Sequence, residues 1–253
     1  NPEVKYISGS TTTHLTSKDT NLKILYFDLK NSMQVDSIRF RNGLLSSFQQ
    51  IDNQIRIDLG DSLAMDELDS IQIYYQGTPN SGGLGTFVQN SYNGQDSILW
   101  TLSQPFGASA WWPCKNSLTD KADSIEINIT TPVKNQVASI GLLRSIDTLG
   151  INATYHWKSN YPIATYLVAF SVTNYEIHEH KEAVGNDSIL FQHFLYPNDS
   201  TSLRQSKNVT LPFIQFFDSL IGPYPFIKEK YGHASFTRGG GMEHQTMSFM
   251  GSY

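Results

Sequence analysis

Three consecutive glycines, Gly239, Gly240 and Gly241, run directly into Met242, Glu243 and His244. A glycine run removes side-chain bulk, so a second backbone can approach the chain closely. A carboxylate placed immediately after it meets whatever approaches. The pattern points to part of a peptide-binding site. The sequence ends at Tyr253, ahead of the machinery such a site would serve.

Other residues that invite chemistry have plainer readings. His178-Glu179-His180-Lys181-Glu182 puts a glutamate where a zinc helix of the form His-Glu-x-x-His needs its second histidine. The preceding residues, Val172 to Ile177, read as a strand. On a strand His178 and His180 share a face that a metal could use, but a solvated, charged strand end is the preferred reading. Gly82-Gly83-Leu84-Gly85 lacks the Lys-Ser/Thr of a phosphate loop, and no Gly-x-Ser-x-Gly elbow exists. Cys114 is the single cysteine, so no internal disulfide forms, and it reads as a small buried hydrophobe. Trp111 and Trp112 suit core packing beside Pro113 better than a sugar platform. Gln104, followed by Pro105, carries no meaning in isolation.

Composition narrows the classes. The chain has 253 residues, 39% apolar, 12% aromatic and only 16% charged, with a net charge of -5. That is enough apolar material for one large or two ordinary domains. No basic cluster supports nucleic-acid binding. No apolar run approaches the ~18 residues of a membrane helix. The neutral-polar surface suits an extracellular or cell-envelope protein. Asn-x-Ser/Thr patterns at Asn128, Asn152, Asn186, Asn198 and Asn208 carry no weight in a chain so rich in these residues.

The elements that must position the glycine run are mostly strands. Gln54 to Leu59, Ser70 to Gln76 and Ser124 to Thr130 alternate apolar and polar residues, as half-buried antiparallel strands do. Leu22 to Leu29, Val35 to Arg41, Ser97 to Leu102 and Ala153 to Lys158 are less regular candidates. Ile163 to Val172 is nearly all apolar and predicts a strand covered on both faces. Turn signals at Arg41-Asn42-Gly43, Asp52-Asn53, Thr78 to Gly83 and Asn93-Gly94 separate the runs. Roughly ten strands without a helix between them predict an all-β sandwich or curved sheet. After a further strand, Ile189 to Tyr196, Asp199-Ser200-Thr201 offers helix N-cap residues. A helix runs to about Ile221, with Leu203, Phe213, Phe216, Phe217 and Leu220 as its buried side and a kink or break at Pro212. The expected division is a β domain over 1–187 and the opening of a second domain over 188–253.

Two segments together resemble the zinc aminopeptidase family that includes aminopeptidase N and leukotriene hydrolase. The first runs from Gln104-Pro105-Phe106 through Trp111-Trp112-Pro113-Cys114 to Lys121-Ala122 and the alternating strand at Ile125 to Ile129, then Trp157 and Pro162 to Phe170. The second is Gly222-Pro223-Tyr224-Pro225, leading to Gly240-Gly241-Met242-Glu243-His244, which is similar to the family's Gly-x-Met-Glu-Asn exopeptidase motif. The clear matches cover about residues 100 to 253.

The resemblance implies a mainly β protein: a large antiparallel β-sandwich or saddle, then the first strands and helix of an incomplete thermolysin-like α+β catalytic domain. It implies that Glu243 holds the free α-amino group of a peptide substrate, because a carboxylate meeting an ammonium makes a charge-assisted bond. Gly240, Gly241 and Met242 would offer backbone groups to the substrate as an added strand. Gln104 would reach the same amino end as a neutral acceptor. His244 stands where the family has Asn; it can donate a hydrogen bond and is expected to titrate near neutrality. The family's zinc ligands and catalytic tyrosine have no counterpart here. Zinc is therefore implied for the full-length enzyme and none for this fragment, which is expected to be inactive alone. The implied partners are a peptide with a free amino terminus and the remainder of the catalytic domain. The alternative is a non-catalytic β-sandwich binding or adhesion module.

Overall fold

A computed structural model describes residues 1–41, 43–45 and 47–251, with the backbone alone at residue 200 and at 205–207. Asn42 of the expected 41–43 turn, Ser46, Ser252 and Tyr253 lie outside the described residues. Contacts divide the chain into two compact units, residues 4–87 with 102–120, and residues 1–3 with 88–101 and 121–253.

The first unit contains β1 (Ile7–Thr16), β2 (Leu22–Asp28), β3 (Met33–Phe40), β4 (Gly43–Leu45), β5 (Phe48–Ile51), β6 (Gln54–Leu63) and β7 (Leu68–Gly77). They form two antiparallel sheets, ordered β1-β7-β3-β4 and β2-β6-β5. The alternating residues read from the sequence fill the space between them. Ile55, Ile57, Ile71 and Ile73 are fully buried, in one cluster with Met33, Ile38 and Leu63. Burying one face of each sheet on the other defines a sandwich. Cys114 is buried against this unit, and its backbone bridges Asp28. Burial pushes its thiol above the ordinary range, so it is an inert apolar filler. Trp111 is buried and donates to the Ser103 hydroxyl at 3.0 Å. Trp112 packs on the same core, as expected of this pair.

The second unit begins with β8 (Phe87–Ser91) and β9 (Ser97–Thr101). It continues through β10 (Ile125–Pro132), β11 (Gln136–Ser139), β12 (Leu142–Leu149), β13 (Asn152–Ser159) and β14 (Phe170–Thr173). Then come β15 (Glu176–Val184), β16 (Asp187–Leu195), α1 (Ser200–Ile221), β17 (Lys230–Phe236), β18 (Gly241–Met242) and β19 (Ser248–Gly251). Two sheets are antiparallel, β10-β13-β12 and β11-β14-β9-β8. The third, β15-β16-β17-β19-β18, is mixed. Its β16 and β17 are parallel, so the chain must cross over between them, and α1 is that crossover.

The mainly β, antiparallel architecture is as expected. Several local expectations are not met. The apolar run Ile163 to Val172 is not one strand: Ile163 makes an isolated bridge to Ala122, Thr165–Leu167 is a 3-10 turn, and only Phe170–Thr173 pairs. Burial there comes from packing, which an apolar run cannot distinguish from pairing. Pro212 does not break α1. The hydrogen bond it forfeits would have gone to the exposed first half of the helix, where water can replace it. Asp199 caps α1 as expected, accepting from the Ser202 amide at 3.0 Å.

The buried side of α1 is also different. Ile214 and Thr210 are buried, and Ile214 joins Val184, Ile189 and Phe191 of the sheet. Phe213, Phe216, Phe217 and Leu220 are exposed, and Leu203 is half-buried. These aromatics do form an i, i+3, i+4, i+7 stripe, but it lies on the side of the helix away from the sheet. The boundary expected between residues 187 and 188 lies one residue into β16, which pairs with β15 along its whole length.

Candidate functional site

The glycine run forms an edge. Gly241 and Met242 make up β18, the last strand of the mixed sheet, paired on one side only, with Met250 and Phe249 of β19. The outer backbone groups of β18 have no strand neighbour, which is the arrangement an added peptide strand requires. Met242 anchors the strand with a buried side chain. Around Gly239 there is open space. Gly240, with φ +86°, turns the chain into the strand, and its carbonyl accepts from the Gly251 amide at 2.8 Å.

Glu243 follows directly. It is exposed and makes no ion pair among the described residues. An exposed, unpaired carboxylate at the end of an open edge is available to a cation.

The residues after Glu243 are buried. His244 is 2% exposed, packs edge-on against Phe249 at 4.5 Å, and has no partner on either ring nitrogen among the described residues. Burial lowers its pKa from 6.5 to about 3. The expectation that His244 titrates near neutrality is therefore overturned: the ring is neutral under ordinary conditions and turned inward. The Gln245 side-chain amide nitrogen is likewise buried and unpartnered among the described residues.

A tight turn closes the segment. The His244 carbonyl accepts from the Met247 amide at 3.2 Å, with Gln245 and Thr246 between them. Thr246 has φ +63°. A β-branched residue in that region costs of order 1–3 kcal/mol. Its hydroxyl oxygen accepts from the Gly141 amide at 2.8 Å. Nothing in the residue order marks this threonine, since the left-handed position of such a turn ordinarily selects glycine or asparagine.

A buried lysine ties down the start of β17. Lys230, at the start of β17, is fully buried and donates to the Ser139 carbonyl at 2.8 Å. Burial holds its ammonium well below the ordinary lysine range, an effect that nearby Glu229 and Glu179 only partly oppose. Glu229 is buried too, accepting from the Ser159 hydroxyl at 3.0 Å and the Asn160 amide at 2.7 Å. Lys228, next to them in sequence, is exposed, so burial begins at Glu229.

Gln104 belongs to the first unit and is exposed, on a cis peptide bond to Pro105. Gly240, Gly241, Met242, Glu243 and His244 belong to the second. His178 and His180 are half-buried on one face of β15. No three His, Cys, Asp or Glu side chains gather as metal ligands among the described residues. No helix among the described residues is long and apolar enough to cross a membrane.

No protein-family model matches this chain, and no curated protein matches it in sequence. Solved structures match its fold. A substituted form of the M1 zinc metallopeptidase from Deinococcus radiodurans aligns with a TM-score of 0.85 at 20% identity, over 98% of this chain and 56% of that one. A form bound to the substrate Tyr-Ser-Ala, from the same organism, gives 0.86 at 19% identity, over 98% and 57%. A two-domain M1 zinc metallopeptidase bound to L-tryptophan gives 0.85 at 20%, over 98% and 57%. The chain thus has the fold of M1 zinc metallopeptidases while spanning just over half the length of these structures.

Proposed function

We propose that this chain is the amino-terminal part of a zinc-dependent aminopeptidase, and that it supplies recognition of the substrate's free amino end. The observation that carries the reading is Glu243: an exposed carboxylate without an ion-pair partner among the described residues, set where an open edge strand ends. A peptide lying along β18 would exchange backbone hydrogen bonds with it and bring its terminal ammonium to that carboxylate. An internal peptide segment has no ammonium to offer there, so the arrangement selects exopeptidase substrates. The likeness to metallopeptidases, one of them bound to a tripeptide, supports the same class.

Zinc, the reaction itself and the remainder of the catalytic domain belong in this reading to the longer protein, and the fragment alone is inactive. The division into a β domain, 1–187, and the start of a catalytic domain, 188–253, is part of the same proposal. So is a location outside the cell or in its envelope, for which the low charge content speaks. For Gln104 the amine-facing role rests on the sequence resemblance alone.

The test is Glu243→Gln in the full-length protein, assayed on Tyr-Ser-Ala. With the docked peptide covering the exposed carboxylate, loss of its charge should cost about 2–5 kcal/mol, a loss of at least about 30-fold in kcat/KM. Unchanged kinetics would remove Glu243 from the role.

A further inference from the structure

We propose that Thr246 is a positioning residue for Glu243, through the bond its hydroxyl accepts from the Gly141 amide. The inference rests on the amine-holding role of Glu243 and adds to it the device that aims this carboxylate.

Glu243 sits between two fixed points. On one side, Met242 is buried and paired with Phe249. On the other, the His244 amide donates to the Met242 carbonyl at 3.0 Å, and the 244–247 turn follows at once. The backbone direction at Glu243 therefore depends on how that turn is held. Thr246 occupies its third position with φ +63°, which is relaxed for glycine and strained for a β-branched residue. Glycine would relieve the strain but has no hydroxyl to accept the 2.8 Å bond from Gly141. The chain keeps the strained residue and with it the link.

The donor is closely packed as well. Gly141 has φ +71°, and a Cβ built on it would lie 2.2 Å from the Lys158 carbonyl oxygen. Just before it, Ser139 receives the buried Lys230 ammonium. The 139–141 segment thus holds the start of β17 through Lys230 and the turn after Glu243 through Thr246. Thr246 is 4% exposed, so water does not compete for its hydroxyl.

A purely structural role and a positioning role separate by experiment. Thr246→Gly removes strain and link together. Thr246→Ala removes the link and the β-branch, and Thr246→Ser keeps the hydroxyl. In the full-length protein, Thr246→Gly and Thr246→Ala should melt within a few degrees of the parent. On Tyr-Ser-Ala both should raise KM about tenfold with kcat little changed, because an ill-placed partner weakens ground-state and transition-state binding alike. Thr246→Ser should restore the parent KM. Glu243→Gln, assayed in parallel, tests the underlying role. If it is impaired while Thr246→Gly and Thr246→Ala match the parent, the positioning role is overturned and the amine role stands. If Glu243→Gln is itself unimpaired, the amine role falls. A KM that rises only in proportion to lost stability, or that Thr246→Ser does not restore, also overturns the proposal.

Discussion

The Lys230 ammonium lies 3.9 Å from the centre of the Trp157 ring, with both side chains fully buried. The ring face and the Ser139 carbonyl take the place of water around the charge. They join the start of β17 to β13 and to the end of β11 through one buried lysine side chain.

This has a pH signature. Burial lowers the folded-state pKa of Lys230 below its unfolded value near 10.4. Between those two values the unfolded chain binds more protons, so stability rises with pH over that interval. Below the folded-state value both states are protonated and the burial penalty is constant. Denaturant unfolding at pH 7 and pH 10 should therefore show the parent gaining stability relative to Lys230→Met. A difference that does not change with pH would place the ammonium in water.

His244 acts at the other end of the scale. Its pKa of about 3, and that of His233 at about 4, both lowered by burial, lie below the unfolded value of 6.5. Each group contributes stability that is complete above pH 6.5 and is lost as the pH falls toward the folded-state value. From pH 6.5 to 4.5 the loss from His244 alone is roughly 2–3 kcal/mol. His244→Asn should remove that part of the acid sensitivity, read as a smaller shift in urea midpoint between the two pH values. An unchanged shift would mean that His244 is not held neutral.

Much of the fold was legible because burial and period coincide. Ile55, Ile57, Ile71 and Ile73 alternate in sequence and are fully buried in the structure. β1, rich in threonine, has no such apolar alternation and gave no signal. In the candidate site, the glycine run and Glu243 stand out in sequence because they depend on residue type and order. Lys230, Thr246 and Gly141 do not, since their meaning depends on a carbonyl, a ring and an amide far away in sequence. The expectation for His244 took the ordinary titration of an imidazole, whereas the backbone turns the ring inward and burial lowers its pKa.

Glycine positions near the edge should differ sharply in tolerance. A Cβ at Gly251 would lie 1.7 Å from the Arg238 carbonyl oxygen, whereas one at Gly239 meets nothing within 4 Å. Gly251→Ala must push apart the backbones joined by the Gly251–Gly240 hydrogen bond, and should cost at least about 2–3 kcal/mol. Gly239→Ala should fold with stability within about 1 kcal/mol of the parent. If a peptide adds along this edge, Gly239→Ala should still weaken binding of Tyr-Ser-Ala. Equal melting temperatures for Gly251→Ala and the parent would contradict the close approach.

The outer face of α1 offers the last test. Phe213, Phe216, Phe217 and Leu220 are exposed by 58%, 56%, 49% and 65%, while Ile214, with half-buried Leu211 beside it, carries apolar contact of the helix with Val184, Ile189 and Phe191. An apolar stripe of this size in water marks a surface made to be covered. In the proposed longer protein, the remainder of the catalytic domain would be its cover. Phe216→Ser with Phe217→Ser should then leave the stability of the 253-residue chain within about 1 kcal/mol, because little buried area is lost. In the full-length protein the same pair should cost roughly 3 kcal/mol or more, as core truncations do. Thermal melts of the two lengths decide it: equal small effects in both would leave the stripe uncovered, and a large loss in the short chain would show that the stripe already packs within it.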